Sequence, residues 1–311
     1  MIQTVTGPIA RAEGRVLLHE HIGCISNDML HIFGSRWLSR AMLIERAAGV
    51  LAELKSKYGV ATVIDGTPID LGRDVGVLRE VSEKSGVQIV ASTGLYNFPA
   101  MITGRSEEEI ASWFVEEVQN GCEGTDIRPG ILKCACDSFG ISEENARRIR
   151  ALALVQKQTG LPLYVHCTHR GDTVVKALQI LADAGADLCK TVIGHLAIRA
   201  EYAYIKEILA HGCYISMDQC HCYDSQKAQL AETLVQLCES GFGGKILLSN
   251  DGSVYSDFCP KQYAWVIGEN VPKVFGYIFE SLYPEFVAHG GTAASWEAML
   301  RDNPSALFAQ A

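Results

Sequence analysis

The chain has 311 residues, 48% of them hydrophobic and only 9 proline, which is material for one large core and leaves no stretch that reads as a disordered tail. Its 27 basic and 36 acidic side chains give a formal charge of −9, the wrong balance for a nucleic-acid surface, and no run is long enough and apolar enough for a membrane span. The 11 cysteines are odd in number and lie inside strand-like and helix-like stretches; with an N-terminus that lacks a basic start and an apolar signal core, they point to a reducing cytoplasm.

Short β-branched runs alternate with longer helical stretches along the whole chain. Strands are expected at Val16–His21, Ala61–Asp65, Gln88–Thr93, Gly130–Cys136, Leu161–Cys167, Thr191–His195, Cys213–Asp218 and Lys245–Asp251. Helices are expected between them near Ala41–Tyr58, Asp74–Ser85, Ser106–Gly121, Ser142–Thr159, Asp172–Ala184, Arg199–His211 and Tyr223–Ser240, with a last one at Ser295–Arg301. Ser106 and Ser142 read as N-caps, and Gly59, Gly86, Gly160, Gly185 and Gly212 stand where helices should stop. Strands alternating with helices, with no Pro/Ser-rich linker, predict one domain over 1–311 folded as a distorted (β/α)8 TIM barrel, with its active site at the C-terminal ends of the strands. An open doubly wound sheet is the competitor, but it has no natural way to bring many strand ends to one point. Long connections at Gly23–Arg40, Gly94–Arg105, Gln219–Asp224 and Gly252–Ala293 mark the active face; the last should carry helical turns near Lys261–Ile267 and Lys273–Leu282 and act as a lid.

Six residues, His19, His21, Lys133, His166, His195 and Asp251, each close one of these apolar runs. Imidazoles and carboxylates suit borderline divalent metals. His19 and His21, two apart on a strand, project to one face and clamp one cation, which Asp251 completes; His166 and His195 clamp a second. Lys133 as a free ammonium would repel both. Deprotonated by burial near positive charge and carboxylated by carbon dioxide, it becomes an anionic bridge, N6-carboxylysine. Two divalent ions held this way activate a bridging water and polarise a carbonyl or phosphoryl oxygen. Zinc is the first expectation, with manganese, cobalt and iron also accepted by the ligand set.

At this point the sequence resembles the phosphotriesterase family of the amidohydrolase superfamily. The resemblance lies in His19-Glu20-His21, Gly130-Ile131-Leu132-Lys133-Cys134, Val165-His166, Ile193-Gly194-His195 and Ser249-Asn250-Asp251, and extends to the stretches 121–130 and 299–304. It implies that His19, His21 and Asp251 hold the more buried metal, that His166 and His195 hold the more exposed one, and that carboxylated Lys133 bridges them. It also implies a homodimer acting on a small molecule as a lactonase, an organophosphate triester hydrolase or an N-acyl amide hydrolase. Tyr96 matches a tyrosine that in the lactonase branch lies by the metals and orients substrate. Two departures from the triesterases stand out. Leu196-Ala197-Ile198 replaces an acidic residue after the strand-6 histidine, and Gln219 stands where those enzymes have a histidine and acyl-homoserine lactonases commonly an arginine.

The resulting expectation is a lactonase that opens a lactone ring by hydroxide attack on the carbonyl, with Asp251 moving the proton and Tyr96 serving the oxyanion. Gln219, Arg36 and His169 are the candidates for the substrate pocket; Arg170 and Lys261 read as solvated surface charge with an anionic substrate as the alternative, and His221 as a loop residue near enough to reach the pocket. Asp65 is expected to orient a ligating imidazole. Cys134 and Cys136 read as small buried thiols. The rivals are a catalytically silent barrel that binds a metal or small ligand, and a soft-metal or redox site at Cys220 and Cys222.

Overall fold

The strands, in chain order, are β1 (Ile2–Thr4), β2 (Gly7–Ile9), β3 (Arg15–Cys24), β4 (Val60–Asp65), β5 (Gln88–Leu95), β6 (Ile131–Cys136), β7 (Leu163–Cys167), β8 (Thr191–Ile193), β9 (Tyr214–Met217), β10 (Ile246–Leu248) and β11 (Ser253–Ser256). The structure is a computed structural model and describes residues 1–96, 102–136, 140–258 and 271–309. Nine of the strands form one curled parallel sheet in the order β10-β9-β8-β7-β6-β5-β4-β3-β11.

Burial explains the curl. Val16 and Leu18, Ile64, Val90, Ile131, Tyr164, Val192, Tyr214 and Leu247, drawn from β3 through β10, pack into one buried cluster that is the barrel interior. Their immediate sequence neighbours, among them Val63, Ile89, Leu132, Val165, Ile193, Ile215 and Leu248, face outward into the larger cluster shared with the helices. Cys134 and Cys136 belong to that outer core and are fully buried, as small apolar thiols should be. The antiparallel β1–β2 hairpin, absent from the sequence expectation, brings Ile2 against the interior cluster beside Leu307 and Phe308.

Closure uses backbone rather than a direct β10–β3 ladder. Residues 249–252 take that place: His19 N donates to Ser249 Oγ at 2.8 Å, Asp251 N to His19 O at 3.0 Å and His21 N to Gly252 O at 2.8 Å. Strand β11 then continues alongside β3, with Ser253 opposite His21.

The helices fall where capping chemistry put them. Ser106 Oγ accepts from Glu109 N and opens the helix Glu107–Asn120, and Ser142 Oγ accepts from Asn145 N and opens Glu143–Thr159. Arg40–Tyr58, Val75–Ser85 and Glu143–Thr159 stop at Gly59, Gly86 and Gly160, each in the left-handed conformation. The expected Arg199–His211 and Tyr223–Ser240 helices are shorter, Tyr202–Leu209 and Lys227–Glu239, each preceded by 3-10 turns. In the long final connection, the Lys273–Leu282 expectation becomes the helix Val271–Tyr277 running into a π-helical turn, Ile278–Leu282. The expected turn Lys261–Ile267 lies outside the described residues.

Candidate metal centre

A change of face on β3 creates the site. Val16 and Leu18 point into the barrel interior, so strict alternation would send His19 and His21 outward. The β3–β4 register shifts between Leu17 and Glu20, and beyond the shift the odd residues face inward. On β6, β7 and β9 no change is needed: Lys133, His166 and Asp218 each lie two or four residues beyond an interior residue, Ile131, Tyr164 or Tyr214. His195 and Asp251 follow the ends of β8 and β10, with positive φ of 64° and 55°. Gln219 shares that conformation at 58°, so three of the four described non-glycine residues with positive φ surround this one point.

The six expected ligands converge. Lys133 Nζ lies 2.6 Å from His19 Nε2, and His195 Nε2 lies 2.6 Å from His166 Nδ1. Asp251 Oδ1 lies 3.1 Å from His21 Nε2 and 3.5 Å from His19 Nε2. Proton placement follows from the far side of the rings. Asp218 Oδ2 is 3.2 Å from His19 Nδ1 and Asp218 Oδ1 is 2.7 Å from His195 Nδ1. A carboxylate only accepts, so both Nδ1 atoms carry the hydrogen and both Nε2 atoms turn lone pairs inward. The two Nε2 lone pairs, the Lys133 amine, His166 Nδ1 and the Asp251 carboxylate thus gather nitrogen and oxygen donors at one place, the donor chemistry that a borderline divalent cation takes. The residues present therefore fit divalent metal.

Burial works in the same direction. Desolvation lowers His19 to about 3, aided by Lys133, and holds His166 well below the usual imidazole range, so both rings are neutral. Lys133 is brought down to about 8 by desolvation, against the pull of Asp251 and Asp218, and this favours the free amine that carboxylation requires. Burial alone would raise Asp251; His19, His21 and His195 outweigh it and keep the group ionised. Space is tight as well. A Cβ at Gly66 would stand 2.4 Å from His19 Cδ2, so only glycine lets that ring sit where it does.

Two carboxylates that the sequence reading did not single out support this arrangement. Asp218 is fully buried and accepts from His19, His195, the His195 backbone N–H (3.0 Å), Ser216 Oγ (2.7 Å) and the Tyr164 hydroxyl. Each of its oxygens thus serves one histidine of a different pair. Glu20, between the two β3 histidines and pointing the other way, accepts from Ser249 Oγ, Asn250 N and Gly252 N at 2.7–2.8 Å. It thereby pins the segment carrying Asp251 to the strand carrying His19 and His21. Burial pushes Glu20 up to about 8 against these donors, which favour the carboxylate. A signal for both existed in the sequence: an acid inside an apolar strand, as Glu20, or directly at its end, as Asp218, is costly unless it is satisfied. Asp65 acts one step removed from its expected role. It accepts from Ile22 N and Thr67 N, and it is Thr67 Oγ1 that meets His21 Nδ1 at 2.8 Å.

Above the centre lies a cavity of about 340 Å³ lined by His19, His21, Lys133, His166 and Asp251, and by Tyr96, Gln219, Leu71, Cys24, His221 and Phe258 among others. Tyr96 Oη stands 3.0 Å from His166 Nε2. His169 does not reach the cavity. It is buried behind β8, with Nε2 donating to Gly194 O at 2.6 Å and Nδ1 at the Tyr204 hydroxyl at 3.0 Å. Arg36 is exposed over the Phe33 ring and Arg170 is exposed, and neither lines the cavity; Lys261 lies outside the described residues. Cys220 and Cys222 do not form a thiolate pair. Cys220 is buried against Met217 O with its thiol pushed up by burial, whereas Cys222 is exposed at the cavity wall. Among the described residues no helix is long and apolar enough to cross a membrane.

Comparison with known proteins agrees with this geometry. The profile of the phosphotriesterase family matches residues 1–308. A phosphotriesterase homology protein of Mycobacterium tuberculosis is 31% identical over 322 aligned positions, covering 99% of this chain and 97% of that protein. An aryldialkylphosphatase of Saccharolobus solfataricus is 28% identical over 95% of each chain, and an N-acetyltaurine hydrolase of Danio rerio is 26% identical over 97% of this chain and 96% of its own. The solved structure of the phosphotriesterase from Mycobacterium tuberculosis superposes with a TM-score of 0.90 at 30% identity, covering 99% of this chain and 98% of that one. These relatives carry the names of hydrolases, which sets aside the silent-barrel rival. With a (β/α)8 barrel, a convergent His/Asp set at its strand ends and a match over nearly its whole length, the chain belongs to the phosphotriesterase family and is a hydrolase of that metal-dependent group.

Proposed function

We propose that the protein is a lactonase using two divalent metal ions, zinc foremost. In this reading His19, His21 and Asp251 hold one ion, His166 and His195 hold the other, and carboxylated Lys133 lies between them. The observation that carries the reading is the inward turn of the Nε2 lone pairs of His19 and His195, fixed from behind by Asp218. The bound ions supply Lewis acidity and lower the pKa of water at the centre. The chain's own groups do the rest. Asp251, in contact with both β3 histidines, takes the proton of the attacking water and passes it to the leaving oxygen. The Tyr96 hydroxyl, at the His166 edge of the cavity, donates to the oxygen on which charge develops.

The cavity wall favours an uncharged substrate. Apart from Lys133, no lysine or arginine lines it among the described residues, whereas a sulfonate or phosphate group buried there calls for a cation. The relay side chains of triesterases are replaced by the buried Leu196 and Ala197 and by Gln219. An alkoxide oxygen is expelled from the tetrahedral intermediate more readily than an amide nitrogen, which must first be protonated, so with Asp251 as the proton carrier a lactone suits this site better than an amide. The test is hydrolysis by metal-reconstituted protein of a panel of γ- and δ-lactones, acyl-homoserine lactones, phosphorylated sugar lactones, N-acyl amino acids, N-acetyltaurine and paraoxon. Neutral lactones should be turned over, with loss of turnover in Lys133→Ala and Asp251→Asn. Turnover confined to the amides or to paraoxon would overturn the lactonase reading. Binding of fewer than two metals per chain would overturn the binuclear one.

A further inference from the structure

Gln219 is held in an unusual way. Its backbone is left-handed (φ 58°, ψ 18°), a region that a glutamine rarely adopts, and it is fixed there by Gln219 N donating to Asn250 O at 3.2 Å and Gln219 O accepting from Cys222 N at 2.9 Å. The consequence is that its side chain lines the cavity and its Nε2 donates to Asp251 Oδ2 at 2.7 Å. An amide that gives its nitrogen to a carboxylate has its oxygen left over. Among the described residues Gln219 Oε1 has no hydrogen-bond partner in the protein, and the shape of the amide keeps it within roughly one residue's reach of Asp251, beside the reacting centre.

We propose that Gln219 reads the substrate: its Oε1 accepts a hydrogen bond from an N–H or O–H on the carbon next to the scissile carbonyl. The site thus selects lactones that carry such a donor over those that do not. This deepens the lactonase reading and rests on it. The physical basis is an asymmetry. In the open cavity Oε1 is hydrated at no cost. A substrate that expels this water and offers only an alkyl or ether group leaves the acceptor unpaired, whereas a donor replaces the water. The rest of the wall mixes apolar Leu71 and Phe258 with Cys24, His221, Ser253 and Ser256, but Gln219 Oε1 is the acceptor tied directly to Asp251 through its own amide. Gln219 therefore has two roles in one side chain, steadying Asp251 through the nitrogen and discriminating through the oxygen.

The experiment compares α-hydroxy- with α-methoxy-γ-butyrolactone, and the 4-nitroanilides of glycolic and methoxyacetic acid, on metal-reconstituted enzyme. For whichever pair is turned over, kcat/KM should favour the hydroxyl member by about tenfold, the worth of one hydrogen bond that is otherwise left unmade. The preference should fall to near unity in Gln219→Met, which lacks both donor and acceptor. It should also fall in Gln219→Lys, which keeps a donor for Asp251 but has no acceptor. Equal rates on both members in the wild type, or a ratio unchanged in both variants, would overturn the proposal. A ratio lost in Gln219→Met but kept in Gln219→Lys would overturn it too, by assigning discrimination to the hold on Asp251. Turnover of the anilides alone, with the preference intact, would refute the lactone reading and leave Gln219 as the selector; inertness towards all four would refute both.

Discussion

Asp218→Asn changes one atom and should unload one half of the metal centre. In the wild type each oxygen serves a different histidine: Oδ1 accepts from both His195 N (3.0 Å) and His195 Nδ1 (2.7 Å), and Oδ2 accepts from His19 Nδ1 (3.2 Å) and the hydroxyls of Tyr164 and Ser216. Asparagine keeps one acceptor. Its oxygen will stay where two N–H donors converge, on His195, and its NH₂ will turn to the other side. There Tyr164 and Ser216 can rotate their hydroxyls to accept, but His19 can accept only by moving its hydrogen to Nε2, which removes the lone pair aimed at the metal. Metal affinity at the His19/His21/Asp251 set should fall about 10–100-fold, the usual cost of losing such a support, while the His166/His195 set is much less affected. The assay is competition of the apo-protein with a calibrated chelator, together with metal analysis of desalted protein. Wild-type stoichiometry with unchanged affinity in both phases would refute the tautomer argument, and equal weakening of both phases would refute the predicted orientation of the amide.

Gly66→Ala places a Cβ 2.4 Å from His19 Cδ2, so the ring must shift; metal content should fall while the thermal melting of the apo-protein changes little. Arg73 is buried and joins Glu117, Glu123 and Ser92 O beneath the β4 and β5 loops; Arg73→Met should cost about 3 kcal/mol in urea unfolding, because two acids lose their partner. His169 is held neutral by desolvation, at about 4 against an ordinary 6.5. The unfolded chain therefore binds the extra proton, and this contribution is fully present above pH 6.5 and is lost as pH falls towards 4. It amounts to about 3 kcal/mol, which His169→Asn should remove from the pH dependence of unfolding between those limits.

How much of this could be read in the sequence varies with the element. The strands of the barrel were legible, and so was the convergence of six polar side chains from five strand ends, because an imidazole or lysine closing an apolar run is costly unless it has a purpose there. The change of face on β3 was not. Alternation from Val16 and Leu18 predicts the wrong side for His19 and His21, and only the shift in register against β4 reveals the correction. Long-range partners were equally hidden: Asp218 serves residues 199 and 23 positions away, and nothing local to Ser216-Met217-Asp218 names them. His169 misled for the opposite reason. Its place just after β7 suggests the cavity, but in the fold its imidazole turns to Gly194 O and Tyr204.

The backbone at the strand ends connects these points. A parallel barrel delivers side chains in layers two residues apart, which suits an apolar interior but leaves ligands from different strands at different heights. His195 and Asp251 follow β8 and β10, the three-residue strands that end soonest, and Gln219 lies just past the four-residue β9; all three adopt positive φ. The left-handed turn swings each side chain back over the barrel mouth, where a regular strand would carry it past. This conformation costs of order 1–3 kcal/mol per residue and persists only where the surroundings enforce it. Here they do: Asp218 accepts from His195 N, Asn250 O accepts from Gln219 N, and His19 O accepts from Asp251 N. Each strained residue is therefore tied through its backbone N–H to a neighbouring strand-end segment, and each side chain that is brought back faces the cluster at the barrel mouth.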